Sequence, residues 1–145
     1  MRPTGLENGN GAGFEDMPTP EAVQEMVPLS EAAAETVASG RAMVRSVLDR
    51  TARRLLVIVG PCSIHDPEAA MDYAQRLRAL ADRVRDTLAI VMRVYFEKPR
   101  TSTGWKGFVN DPRMADSSRI QEVLIGGRRL LRRFAEMGLP AATEA

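Results

Sequence analysis

With 145 residues, 44 % of them hydrophobic, the chain is long enough for one domain with a real apolar core. A formal net charge of +1 excludes a bulk electrostatic case for nucleic acid or a membrane surface. A single cysteine excludes an intrachain disulfide and suits a reducing cytoplasm, and no apolar run approaches the roughly 20 residues of a membrane span. All of the 20 basic residues except Lys98 and Lys106 are Arg, a bias that reads first as codon composition and second as a hint of anion binding.

Residues 1–17 are polar and glycine-rich, lack a signal-peptide core, and read as a flexible tail. Residues 18–52 read as a helical extension. Pro20 to Val27 makes a short helix stopped by Pro28. Ser30 is a good N-cap, with Glu31 in the first turn. Ala33, Val37, Val44, Val47 and Leu48 follow helical spacing to about Arg50, with Ser39-Gly40 as an interruption.

Residues 53–145 carry a strand-helix rhythm. Arg53 to Ile64 reads as a first strand, apolar on both faces as in parallel sheets covered by helices. Asp66-Pro67-Glu68 then opens a helix with Asp as N-cap and Pro at the first helical position. Ala70, Ala74, Leu77, Ala81 and Val84 form its inner stripe. Leu88 to Phe96 is a second strand. Ser102 to Met114 is a long loop of the length that is more often functional than idle. Asp116 or Ser117 caps a further helix with Ile120, Leu124, Leu131 and Phe134 inward, weakened by Gly126-Gly127. Gly138 suits the position after its end, Pro140 prevents continuation of the helix, and Leu139 to Ala145 starts a third strand. The order is helix, then β-α-β-α-β, which gives parallel crossover units with a site at the C-terminal ends of the strands.

Each of three strand ends carries chemistry. The first is Gly60-Pro61-Cys62-Ser63-Ile64-His65-Asp66, which holds the only cysteine and the only histidine of the chain. A thiolate is a strong ligand for a borderline divalent metal, and a Cys-His pair is also a nucleophile and its base. The alternative is a buried cysteine beside a histidine hydrogen-bonded in a turn. At the second end, Arg93 interrupts an apolar strand on the face of Tyr95 and Glu97. It is either an ion-pair partner of Glu97 or, with Lys98 and Arg100 around Pro99, part of a cation cluster for carboxylate or phosphate. The third end holds Glu144, a candidate for a metal-bound water or Arg93, or a solvated end residue. Trp105 and Lys106, between Gly104 and Gly107, are a lid or a packing anchor.

Taken together, Gly60 to Pro67, Met92 to Thr101, Gly104 to Gly107, Asn110-Asp111-Pro112 and Leu139 to Ala142 closely resemble class I 3-deoxy-D-arabino-heptulosonate 7-phosphate synthases. The resemblance runs from about Pro18 to Ala145. It implies an α/β fold: the first three βα units of a (β/α)8 TIM barrel behind an N-terminal helical extension. It implies a transferase that condenses phosphoenolpyruvate with erythrose 4-phosphate, the first step of the shikimate pathway and of aromatic amino acid biosynthesis. By the family's motif, Cys62 resembles a ligand of a divalent metal of the Mn, Fe, Co or Zn class. Arg93 and Lys98 resemble the catalytic contacts to phosphoenolpyruvate. Arg100 and Thr101 resemble contacts to the aldose phosphate, and Glu144 lies near metal-bound water or substrate. His65, Trp105 and Lys106 resemble residues near the site. A homo-oligomer and an aromatic amino acid effector are further implications, with neither nucleic acid nor membrane as partner.

The resemblance also implies that the remaining metal ligands and phosphate-binding cations stand on later strands. The expectation is therefore an incomplete barrel, a partial synthase chain without turnover by itself. The alternative is a non-catalytic fragment whose open strand edges dock on a full-length relative.

Overall fold

The computed structural model describes residues 17–96 and 120–143. The elements run α1 (Pro20–Met26), α2 (Glu31–Leu48), β1 (Leu55–Val59), α3 (Pro67–Val84), β2 (Leu88–Arg93), α4 (Ile120–Glu136) and β3 (Ala141–Ala142). The three strands form one parallel sheet in the order β1-β2-β3, with Val57 opposite Ile90 and Arg93 opposite Ala142. The fold is α/β, as the strand-helix rhythm implies.

Local chemistry sets the helix starts. The Thr19 hydroxyl accepts from the Ala22 amide at 3.2 Å, and Pro20 fills the first turn of α1. The Ser30 hydroxyl accepts from the Ala33 amide at 3.4 Å to open α2. Asp66 Oδ1 accepts from the amides of Glu68 and Ala69 at 2.8 and 3.3 Å, capping α3. At the far end of α4, Gly138 takes a φ of +74°, the left-handed conformation that glycine adopts without a Cβ penalty.

β2 lies between its two neighbours, and its Ala89, Ile90, Val91 and Met92 are buried. Ile90 and Met92 join Ala70, Ala74 and Leu77 of α3 and Leu130 and Phe134 of α4 in one core cluster. Because side chains alternate along a strand, Arg93 stands on the opposite face, with Ala89 and Val91.

Several expectations need correction. The first strand is Leu55–Val59, not Arg53 to Ile64, because Gly60-Pro61 turns the chain away from the sheet. It is also not buried: Leu55 and Ile58 are 66 % and 55 % exposed, since β1 has a strand on only one side among the described residues. The second strand ends at Arg93 rather than Phe96.

In α2 the buried stripe is Ala33, Thr36 and Gly40, while Val37 and Leu48 are exposed. Ser39-Gly40 does not interrupt the helix. Gly40 is where α2 meets Pro140, and a Cβ there would lie 2.9 Å from the Pro140 Cβ. In α4 the inward residues are Val123, Gly127, Leu130 and Phe134, while Leu131 is 39 % exposed and Leu124 half-buried. Gly127 faces the Phe96 ring, and the helix continues through both glycines. The long loop from Ser102 to Met114 and the cap at Asp116 or Ser117 lie outside the described residues.

Candidate active site

The ends of β1 and β2 are locked together by backbone contacts. The Ile64 amide donates to the Tyr95 carbonyl at 2.8 Å, across the mouth of the sheet. On the other side, the Val94 amide donates to the Ala142 carbonyl at 2.8 Å. The chain from Val94 to Tyr95 thus ties the turn after β1 to β3. Gly60 makes the close approach possible: a Cβ there would lie 2.9 Å from the Arg93 carbonyl carbon and nearer still to its oxygen.

Arg93 is half-buried at this junction. Its Nη1 donates to the Pro61 carbonyl at 3.2 Å, and its Cζ stands 5.6 Å from the centre of the Tyr95 ring. The carbonyl and the ring face orient the planar guanidinium at the strand ends, where a fork of N–H donors suits carboxylate or phosphate geometry. Glu97, its candidate ion-pair partner, lies outside the described residues.

Cys62 and His65 are both exposed, so the reading of Cys62 as a buried core cysteine is overturned. The structure brings Cys62, His65 and Arg93 to one end of the sheet. Lys98, Arg100, Thr101, Trp105, Lys106 and Glu144 lie outside the described residues. Among the described residues no three His, Cys, Asp or Glu side chains converge to hold a metal. Cys62 alone does not make such a site, which takes about four ligands.

Three features of the site were not assigned from the sequence. They are the Pro61 carbonyl as partner of Arg93, the Tyr95 ring beside it, and the Ser63 hydroxyl, whose oxygen is buried with no hydrogen-bond partner among the described residues. Only the Gly-Pro pair directly after an apolar strand signalled a close backbone approach. Among the described residues, no helix is long and apolar enough to cross a membrane.

Comparison with known proteins places this geometry in context. The model of the DAHP synthetase I family matches residues 29–145. The Tyr-sensitive phospho-2-dehydro-3-deoxyheptonate aldolase of Salmonella typhimurium is 46 % identical over all 145 residues, which cover 41 % of that relative. The Phe-sensitive aldolase of Escherichia coli is 53 % identical over 125 residues, 86 % of this chain and 36 % of the relative. The solved structure of phospho-2-dehydro-3-deoxyheptonate aldolase from Francisella tularensis superposes with a TM-score of 0.87 at 41 % identity, over 92 % of this chain and 39 % of that one. The chain thus spans about two fifths of the length of these relatives. With most of its length matched by the family model, and with the Cys62 turn and Arg93 at adjacent ends of parallel strands, the chain belongs to the DAHP synthetase I family.

Proposed function

We propose that the chain carries the phosphoenolpyruvate-binding part of a 3-deoxy-7-phosphoheptulonate synthase, built on the opening βα units of a TIM barrel. The observation that carries this reading is Arg93, held at the strand ends by Pro61 and Tyr95 within a chain of this family. The reaction joins the nucleophilic carbon of phosphoenolpyruvate to the aldehyde of erythrose 4-phosphate, adds water to the carbon that carries the phosphate, and releases that phosphate. Both substrates are anions, so cations must hold them together against their mutual repulsion. Arg93 offers a planar fork to the carboxylate or phosphate of phosphoenolpyruvate, and Lys98 offers a point charge beside it. Arg100 and Thr101 would hold the aldose phosphate, with Glu144, His65, Trp105 and Lys106 around the site.

Cys62 contributes one soft donor to a divalent metal, and the other ligands must come from outside the described residues. An aromatic amino acid effector follows from the Tyr-sensitive and Phe-sensitive names of the relatives, and a cytoplasmic homo-oligomer belongs to the same reading.

The test is calorimetric titration of the 145-residue chain with phosphoenolpyruvate, beside an assay of phosphate release with both substrates and manganese. The expected result is binding without turnover, weakened about tenfold in Arg93→Lys by loss of the bidentate fork. Equal binding by Arg93→Lys would remove Arg93 from the site. Clear turnover would refute the inactivity of the chain.

A second reading is a non-catalytic module that docks on a full-length relative by its strand edge. Its support is the exposed apolar surface of β1 at Leu55 and Ile58. Sedimentation of the chain as a compact monomer that ignores a full-length relative would argue against it.

A further inference from the structure

A charged hollow lies at the opposite end of the sheet from Cys62, where the strands begin. It encloses about 260 Å³ between Arg54 before β1, Arg78, Asp82 and Arg85 of α3, and the apolar Leu88 and Leu139. Among the described residues, three arginines and one carboxylate line the hollow, which makes this lining net positive.

Two of the guanidiniums are anchored. Arg54 Nη1 donates to the Arg85 carbonyl at 3.3 Å. Arg78 Nε donates to the Met137 carbonyl at 2.9 Å, and its Nη1 pairs with Asp82. Gly138 closes over Arg78, where a Cβ would lie 3.3 Å from Nε. A guanidinium has five N–H donors, and the bond from Arg54 to Arg85 takes one of them. Anchoring before binding lowers the ordering cost that a ligand would otherwise meet.

We propose that this hollow binds a small organic carboxylate. The oxyanion lies against Arg54 and Arg78, and a short apolar body lies against Leu88 and Leu139. The carboxylate is preferred to a bare inorganic anion because most of the wall is apolar, with Met43, Ala81, Ile90 and Pro140 completing it. The volume falls just under the roughly 300–1,000 Å³ of drug-sized pockets, which points to a ligand of few heavy atoms. Asp82 competes for Arg78 and sets the affinity low. None of these groups belongs to the strand-end site, so the proposal stands or falls independently of the proposed reaction.

The test is calorimetric titration of the 145-residue chain with isovalerate and, separately, with inorganic phosphate. Isovalerate is expected to bind saturably and several times more tightly than phosphate. Arg54→Gln is expected to weaken it about tenfold through loss of a charge-assisted bond. Asp82→Asn, at an exposed position, is expected to tighten it several-fold by freeing Arg78, an effect that structural damage would not produce. Absence of saturable isovalerate binding, tighter binding of phosphate than of isovalerate, or no tightening in Asp82→Asn would each overturn the proposal.

Discussion

Gly60 lies directly against the backbone of Arg93, closer than any side chain would permit. This contact sets the distance between the turn that carries Cys62 and the strand that presents the guanidinium. Gly60→Ala must push apart two backbone segments that are also joined by the bond from the Ile64 amide to the Tyr95 carbonyl. Overpacking typically costs about 1–3 kcal/mol, and a clash with backbone falls at the upper end of that range. Urea denaturation of Gly60→Ala is expected to show a loss of about 3 kcal/mol. A loss below about 1 kcal/mol would mean that the two strand ends part easily.

Gly127 has the opposite sign. It is buried inside α4, but a Cβ there would meet the Phe96 ring at 3.7 Å, an ordinary contact. Alanine would therefore recover helix propensity without strain, worth about 1 kcal/mol. Gly127→Ala is expected to raise the thermal midpoint, and a lower midpoint would show that the Phe96 contact is tighter than its geometry implies.

Phe134 is fully buried in the cluster between β2, α3 and α4. Its truncation to alanine leaves a cavity among residues held by three elements. The expected cost is about 3–5 kcal/mol, which approaches the whole stability of a small domain. Circular dichroism should show Phe134→Ala largely unfolded at room temperature, and a cooperative transition like that of the parent would contradict the assigned core.

Glu136 joins the N-terminal helices to the body. Its Oε1 accepts from the Ser30 hydroxyl at 2.7 Å and from Arg132 Nε at 2.8 Å. These bonds, Ser30 first and Arg132 second, hold its carboxyl below the ordinary glutamate range. A depressed folded-state value stabilises the fold above the unfolded value of about 4.3 and is lost as pH falls through the lower folded value. The stability difference between the parent and Glu136→Gln should therefore shrink between about pH 5 and about pH 3. Urea titrations across that interval read it directly, and a difference independent of pH would exclude a role for the ionised carboxylate.

Much of the fold was legible from the chain because the signals are local. Asp66 before Pro67 starts α3 by capping, and Gly138 ends the last helix by its left-handed backbone. The apolar stripe of α3 was read almost in full, with Met71 as the buried residue it omitted. In α2 and α4 periodicity picks Ala33 and Phe134 correctly but admits a neighbouring face for the other inward residues. Contact with Pro140 selected the Gly40 face of α2, and contact with Phe96 selected the Gly127 face of α4.

The parallel strand-helix order, the caps, and the gathering of Cys62, His65 and Arg93 at strand ends are written in short stretches of the chain, because hydrogen-bonding and alternation rules act over a few residues. Packing between distant segments set how Arg93 is held, by the Pro61 carbonyl and the Tyr95 ring, and that Cys62 is exposed rather than buried. It also decided that Arg54, Arg78 and Arg85 share one hollow at the other end of the sheet. These are contacts between segments distant in the chain, and their geometry follows from packing that no short pattern of residues encodes.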